Sequence, residues 1–332
     1  AEPLCALACD AKALPPCVAA VASAALPFAC AMHNRKKLAL TDEQKEEKRR
    51  KNVERAQRYA ALSGAAMALN AAAQYDEAAL EASARVVGAN PDQATLWNFR
   101  RRALSHLHPE PAEGGGDEAA EASAAARRKA CEVEFRLTQE CLGANPKSYP
   151  VWFHREWVMK WGRCAWQHAT DLKLTTKLLQ LDERNFHCWT YRRFVVKEAG
   201  VGADAELAFT GDKIAQNFSN YSAWHLRSKL LPQIHAGSTT AAWEGTLKAE
   251  LELLRNAFFT APEDQSAWFY HRWVLGQLET SEGRDEILRA ELAMVDELLE
   301  LEPDAKWPLA TAAFLGRALG DRPADVESRL VE

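Results

Sequence analysis

No motif of a self-contained enzyme occurs in this sequence. It contains no P-loop, no GxSxG nucleophile motif, no HExxH zinc motif and no glycine-rich phosphate cradle. Its eight cysteines include no CxxC pair, so a zinc knuckle or a redox motif has little support. A search for self-contained catalysis therefore finds no candidate.

Long apolar runs and an excess of basic charge are also missing. No apolar run reaches the ~18 residues needed to span a bilayer, so no stable membrane insertion is expected. The net charge of −5 argues against a nucleic-acid-binding protein, because such proteins usually carry a basic face. The four later cysteines lie far apart and are interpreted as reduced thiols of a cytoplasmic protein: Cys131, Cys141, Cys164 and Cys188.

The first 31 residues differ in composition from the rest of the chain. Alanine dominates them, and their only charges are Glu2, Asp10 and Lys12. They lack the basic start of a signal peptide and the arginine content of a transit peptide. We therefore expect residues 1–31 to be an unstructured leader and Met32 to be the native start.

Tryptophan organises the sequence that follows. Five segments align on a Trp: NPDQATLWNFRR, NPKSYPVWFHRE, DERNFHCWTYRR, NFSNYSAWHLRS and PEDQSAWFYHRW. Their tryptophans are Trp97, Trp152, Trp189, Trp224 and Trp268, and a fainter sixth copy is centred on Trp307. Three residues later stand Arg100, Arg155, Arg192 and Arg227, whereas the fifth copy has His271 followed by Arg272. Successive tryptophans are 55, 37, 35, 44 and 39 residues apart, which is typical of stacked supersecondary units.

The residues before each Trp indicate where a helix begins. Four positions before the five tryptophans stand Gln93, Ser148, Asn185, Asn220 and Asp264, and the last four are strong N-cap residues. With Ser148 as N-cap, Pro150 is the second helical residue, where its missing N–H costs nothing. Trp and the Arg three residues later then share one helix face, which we interpret as a packing device.

The remaining patterns predict an all-α fold. Amphipathic helical runs lie between the Trp helices, and no β-strand alternation appears. We predict a right-handed α-α superhelix, a solenoid of antiparallel helix pairs. The predicted divisions are residues 32–63 with a charged helix, 64–320 with about six Trp-centred repeats, a mobile insertion near 108–123, and a tail at 321–332.

The turns before the Trp helices are predicted to lie along one edge of this array. They carry Lys147, Tyr149, Arg184, Asn185, Phe186, His187, Asn220 and Tyr221. Solenoids bind partners on such surfaces. A Lys and an Arg beside helix N-termini would suit a diphosphate or an acidic partner.

These Trp-centred segments resemble the repeats of the protein prenyltransferase α subunits. In that family the α subunit is a crescent of helix pairs that wraps a catalytic β subunit. The resemblance runs from about Met32 to about Gly320. Four segments are most similar to the Rab geranylgeranyltransferase branch: GANPDQATLWNFRR, DERNFHCWTYRRFV, NFSNYSAWHLRSKLLP and NAFFTAPEDQSAWFYHRWVLG. MHNRKKLALTDEQKEEKR is similar to the N-terminus of that branch.

The resemblance implies a division of labour between two subunits. The partner β subunit would hold the Zn²⁺ and the isoprenoid. Lys147 would reach the diphosphate of geranylgeranyl diphosphate, and Tyr149 would line the same rim of the active site. Asn185 and His187 would face the β subunit. Phe186 stands where other members can have Tyr, so no hydroxyl contact carries over. His33 matches a residue that could reach the partner's zinc.

The implied function is that of a Rab geranylgeranyltransferase α subunit. Together with its obligate β subunit and a Rab escort protein, it would support geranylgeranyl transfer to C-terminal cysteines of Rab GTPases. Two alternatives stay open. One is the α subunit of farnesyltransferase or geranylgeranyltransferase type I, acting on CaaX proteins, and the other is a non-enzymatic helical-repeat scaffold.

Overall fold

The computed structural model describes residues 41–109, 117–278 and 283–320. The described residues form helices and turns, with no β-strand among them, which confirms the all-α prediction. The α-helices are α1 Asp42–Ala71, α2 Glu77–Ala89, α3 Ala94–Leu107, α4 Asp117–Ala144, α5 Tyr149–Trp161, α6 His168–Leu181, α7 Phe186–Glu198, α8 Ala203–Gln216, α9 Tyr221–Ile234, α10 Thr240–Thr260, α11 Gln265–Gly276, α12 Arg284–Leu301 and α13 Lys306–Leu319. The predicted leader, the tail and His33 lie outside the described residues.

The chain divides into two compact units. The first contains residues up to Leu107 and the stretch Gln139–Asn145, and the second contains His108–Thr138 and the chain from Pro146 onward. In the first unit α2 packs against α1 and α3. In the second unit α6 packs against α7, α8 against α9, α10 against α11, and α12 against α13. The predicted repetition of helix pairs is therefore present.

The charged N-terminal helix begins at its predicted cap. Thr41 and Gln44 form a capping box, in which each side chain accepts a hydrogen bond from the backbone N–H of the other residue. The first half of α1 is exposed and carries ion pairs along its own surface, and Ala66 is its buried residue. Because α1 continues to Ala71, the predicted boundary at residue 63 falls inside a helix.

The predicted mobile insertion near residues 108–123 includes the beginning of a helix. Helix α4 begins at Asp117, so the second half of that segment is helical. Alanine and glutamate dominate after the glycines of the segment, and both are strong helix formers. Residues 110–116 of the predicted insertion lie outside the described residues.

Most of the predicted N-cap residues form capping hydrogen bonds to their helices. Side-chain oxygens of Asn185, Asn220 and Asp264 accept hydrogen bonds from backbone N–H groups in the first turns of α7, α9 and α11. Ser148 occupies the N-cap of α5, and the helix starts with Pro150 at its second residue, as predicted. The Ser148 hydroxyl, however, makes no capping bond to this helix.

The five repeat tryptophans make one shared contact. The indole Nε1 of each donates to the backbone oxygen of the residue six positions earlier, at 2.8 Å in every case. These pairs are Trp97–Pro91, Trp152–Pro146, Trp189–Glu183, Trp224–Phe218 and Trp268–Pro262. Each buried Trp therefore fixes the turn that leads into its own helix, while the ring fills the space between helices.

The four repeat arginines link neighbouring helices. Each donates through Nη1 to the carbonyl oxygen 20 residues earlier and to the hydroxyl 17 residues earlier. Three of them also pair with a buried carboxylate on a later helix: Arg155 with Asp171, Arg192 with Glu206, and Arg227 with Glu250. No sequence pattern marked these carboxylates in advance, because they lie 14 to 23 residues from their arginines.

The fifth repeat departs from this pattern. His271 occupies the arginine position, is buried, and its Nε2 lies 2.8 Å from Glu291 Oε2. Arg272 does not take the place of the repeat arginine. Its guanidinium instead stacks 3.5 Å from the ring centre of Phe314, because the next position along a helix points about 100° away.

The sixth repeat is centred on Leu309 rather than on Trp307. Helix α13 has Ala305 as its N-cap, so the residue four positions later is Leu309, which is buried. Trp307 lies in the first turn, only half buried, with its ring 5.3 Å from that of Phe269. Alignment on tryptophan misplaced this copy by two residues.

We expect Gly162→Ala to destabilise the protein by about 1–3 kcal/mol, since overpacking a filled site forces neighbours to shift. A Cβ there would lie 2.2 Å from Cys131 Sγ and 2.6 Å from Cys164 Sγ. Gly64→Ala is the matched control. It meets nothing within 4 Å and lies inside α1, so it should stabilise by up to about 1 kcal/mol. Urea unfolding measures both variants, and equal effects would contradict the packing at Gly162.

Candidate functional site

An ion pair marks the predicted edge of the second unit. The ammonium of Lys147, in the turn before α5, lies 3.1 Å from Oδ2 of Asp182, the C-cap residue of α6. The Lys147 side chain is 56% exposed and that of Asp182 is 24% exposed. Surface pairs of this kind contribute little to stability.

An aromatic group lies beside this ion pair. The ring of Tyr149 is perpendicular to the imidazole of His187, with centroids 4.1 Å apart, and Phe186 packs against both. Tyr149 is 66% exposed and Phe186 54% exposed, whereas His187 is buried beneath them. Burial, and then the nearby Lys147 ammonium, lower the pKa of His187, so the imidazole is neutral at neutral pH.

The two asparagines predicted to face a partner are buried. Asn185 caps α7 through Oδ1 and donates from Nδ2 to the Pro146 oxygen at 2.9 Å. Asn220 is likewise inaccessible, and its Oδ1 accepts from Ala223 N. In this structure both residues hold turns in place. An N-cap side chain must fold back onto its own helix, which turns it away from the surface.

Arg184 and Tyr221 remain exposed at the same edge. Burial raises the pKa of the Asp264 carboxyl, but hydrogen bonds from Ser219 and Ser266, together with the Arg184 guanidinium, bring it below its ordinary value. This coupling places the Arg184 charge near the turn that carries Asp264. Tyr221 is 52% exposed and stacks on His225 with the rings nearly parallel.

Three functional candidates were missed by the sequence reasoning. Asp182 belongs to the Lys147 ion pair, and Phe153 and Phe269 are exposed rings on the helices that carry Tyr149 and the fifth repeat. Each of the two phenylalanines stands one residue after a repeat Trp. This position faces away from the buried Trp, and that was the sequence signal for an exposed ring. The signal for Asp182 was an acidic residue where two neighbouring repeats have Asn.

Metal-ligating residues do not cluster in the part of the chain that the structure describes. No group of three or more His, Cys, Asp or Glu side chains within residues 41–109, 117–278 and 283–320 could hold an ion. Over the same ranges, no helix has the length and apolar character needed to cross a membrane. Cys131, Cys141, Cys164 and Cys188 are all buried free thiols.

Comparison with known proteins places this arrangement in one class. The protein prenyltransferase alpha subunit repeat matches at residues 131–162, 165–199, 203–234 and 247–278. A solved chain of the Candida albicans protein geranylgeranyltransferase-I complexed with GGPP is similar in fold. Its TM-score is 0.60 at 21% identity, covering 86% of this chain and 82% of the other.

Sequence relatives define the branch. The geranylgeranyl transferase type-2 subunit alpha of Dictyostelium discoideum is 37% identical over 87% of this chain and 90% of its own length. The protein of the same name from Rattus norvegicus is 46% identical over 75% of this chain. This chain therefore belongs to the protein prenyltransferase α-subunit family, in its type-2 geranylgeranyl transferase branch. The match spans 42% of the rat relative's length.

Proposed function

We propose that this chain is the α subunit of a Rab geranylgeranyltransferase. With a catalytic β subunit it supports transfer of geranylgeranyl from geranylgeranyl diphosphate to C-terminal cysteines of Rab GTPases, presented by a Rab escort protein. The observation that carries the proposal is the Lys147 ammonium, more than half exposed beside Tyr149 in a chain whose relatives are type-2 α subunits.

Lys147 suits a leaving diphosphate. Negative charge grows on the diphosphate as the C–O bond to the isoprenoid breaks, and a fixed ammonium stabilises that charge. The N-terminus of α5, where Tyr149 is the first residue, adds the positive end of a helix dipole. The Tyr149 hydroxyl is a further hydrogen-bond donor at the N-terminus of α5. Neutral His187 supports the Tyr149 ring and adds no charge of its own.

Zinc belongs to the partner in this proposal. We propose that the ion is held by the β subunit. There it would lower the pKa of the acceptor cysteine and supply a thiolate near neutral pH. This chain contributes the polar rim, and His33, which lies outside the described residues, would reach toward that ion.

Exposed aromatic rings support an obligate β partner. Large rings are uncommon on free surfaces and are enriched where proteins associate. The second unit exposes five of them on its Trp helices: Tyr149, Phe153, Phe186, Tyr221 and Phe269. A β subunit seated on these rings would bring its active site to Lys147. Four buried free thiols fit the reducing cytoplasm, where we place the complex.

The two alternatives are less well supported. The likeness to the geranylgeranyltransferase-I chain shows fold alone, at 21% identity, whereas the type-2 relatives reach 37% and 46%. A non-enzymatic scaffold would not require an exposed lysine in the turn before α5.

The direct test is reconstitution. We expect the chain, co-expressed with a type-2 β subunit, to form a stable complex. With escort protein and labelled geranylgeranyl diphosphate, that complex should label a Rab ending in two cysteines and leave a CaaX protein unlabelled. Label on the CaaX protein alone would favour the type I reading, and failure to form a complex would favour the scaffold.

A further inference from the structure

Two buried cysteines meet beside Gly162. Cys131 lies in the middle of α4, and Cys164 lies in the turn that follows α5. A Cβ on Gly162 would lie 2.2 Å from Cys131 Sγ and 2.6 Å from Cys164 Sγ, so the two sulfurs flank one point in space. Gly162 itself has φ −87° and ψ −1°, a conformation open to residues with side chains. The position therefore needs glycine because the two sulfurs occupy the space of a side chain.

The two thiols of this pair are chemically unequal. A hydrogen bond between them raises the pKa of Cys131, and the same bond lowers the pKa of Cys164 although burial opposes it. Cys188 shows the contrast, because its thiol donates to the Thr175 oxygen at 3.5 Å and burial raises its pKa to about 12. Cys164 is therefore the sulfur with thiolate character, and Cys131 is the thiol that donates to it.

The cover over this pair is thin. The two cysteines belong to a core cluster against which Trp157 and Trp161 pack while remaining partly exposed. Between Gly162 and Cys164, Arg163 has φ 48°, in the left-handed region that residues other than glycine rarely adopt. Strain of this kind lowers the cost of opening the turn locally. Local opening then admits a molecule as small as hydrogen peroxide to Cys164.

We propose that Cys131 and Cys164 form a redox-sensitive dithiol, which hydrogen peroxide converts to a disulfide between α4 and the turn after α5. The Cys164 thiolate attacks one peroxide oxygen, the O–O bond breaks, and hydroxide leaves and takes up a proton to become water. The Cys131 sulfur then attacks the sulfenic acid on Cys164, the S–O bond breaks, and the hydroxyl leaves as water with the Cys131 proton. Two thiols lose two electrons in all, and one peroxide is reduced to two waters.

The dithiol lies apart from the residues around Lys147. It is at the C-terminal end of α5, whereas Lys147 precedes the N-terminus of that helix. Disulfides in a reducing compartment are usually transient and serve redox sensing, so the resting pair is reduced and an oxidant closes it. Its chemistry is therefore independent of the proposed function, and failure of either one leaves the other intact.

The test is peroxide oxidation of the folded full-length chain, followed by alkylation of the remaining thiols in urea and peptide mass spectrometry. We expect a linkage between Cys131 and Cys164 that dithiothreitol reverses. It should form at least about tenfold faster than Cys188 is oxidised, because the thiolate is the reactive form. Cys141→Ser, which removes a buried thiol outside the pair, is the matched control and should not change the yield of the linkage.

Single substitutions within the pair separate the roles of the two sulfurs. Cys131→Ser removes the thiol that closes the disulfide, so Cys164 should accumulate as sulfenic and then sulfinic acid. Cys164→Ser should leave Cys131 reduced. A folded wild-type chain that keeps both thiols, or a linkage that forms only in urea, would overturn the proposal. Rapid oxidation of Cys131 in the Cys164→Ser variant would contradict the assigned order of attack, and circular dichroism verifies that each variant is folded.

Discussion

Lys147→Ala should lower the rate of geranylgeranyl transfer by about 100-fold, because it removes the ammonium that faces the charge developing on the leaving diphosphate. The side chain is exposed and pairs only weakly with Asp182, so the fold should not change. Single-turnover transfer to a Rab, measured with labelled geranylgeranyl diphosphate in the reconstituted complex, gives the rate directly.

Two further variants separate charge from geometry. Lys177→Ala removes the same charge from an exposed site on α6 and should leave transfer unchanged. Lys147→Arg keeps the charge but not the compact head group, so it should recover part of the rate. A Lys147→Ala enzyme as fast as Lys177→Ala would contradict the role of Lys147 in diphosphate stabilisation.

Asp171→Ala should destabilise the protein by about 3–5 kcal/mol, the largest stability effect we expect. The Asp171 carboxylate is inaccessible and accepts from Arg155 Nε at 2.9 Å, from Arg155 Nη2 at 2.5 Å, from Gln167 at 2.8 Å and from the Tyr191 hydroxyl. Burial alone would lower the pKa of Arg155, but Asp171 outweighs it and raises that pKa. Removing the carboxylate leaves a buried positive charge without its counter-ion.

Guanidinium chloride unfolding compares this variant with two others. Glu297→Ala breaks the exposed pair with Arg255 and should cost no more than about 1 kcal/mol. Arg155→Met combined with Asp171→Leu removes both charges together, and it should be markedly more stable than Asp171→Ala. If Asp171→Ala costs no more than Glu297→Ala, the buried network does not stabilise the repeat.

The candidate site was only partly predictable. Lys147 and Tyr149 could be placed at an edge because they directly precede a helix whose start is marked by Ser148 and Pro150. The sequence could not show in the same way that Asn185 and Asn220 are buried whereas Lys147 and Tyr149 are exposed. A side chain that caps a helix and one that faces a partner look alike in sequence, and only burial distinguishes them.

Local rules were sufficient for the helices and their period. N-cap chemistry, the recurrence of Trp and Arg, and the absence of strand alternation depend on residues a few positions apart, so the sequence by itself determined an all-α repeat protein. The long-range partners needed the fold. Asp171 lies 16 residues from Arg155, and Asp182 lies 35 residues from Lys147.

The sixth repeat shows the same division. The sequence offered Trp307 as its centre, whereas the cap at Ala305 puts Leu309 in the core, and two residues of register turn a helix by about 200°. The sequence alone determined that the repeats are helical and where four of the Trp helices begin, at the N-caps Ser148, Asn185, Asn220 and Asp264. Only the tertiary structure decided which charges meet, because Coulomb and hydrogen-bond energies depend on distance in space rather than along the chain.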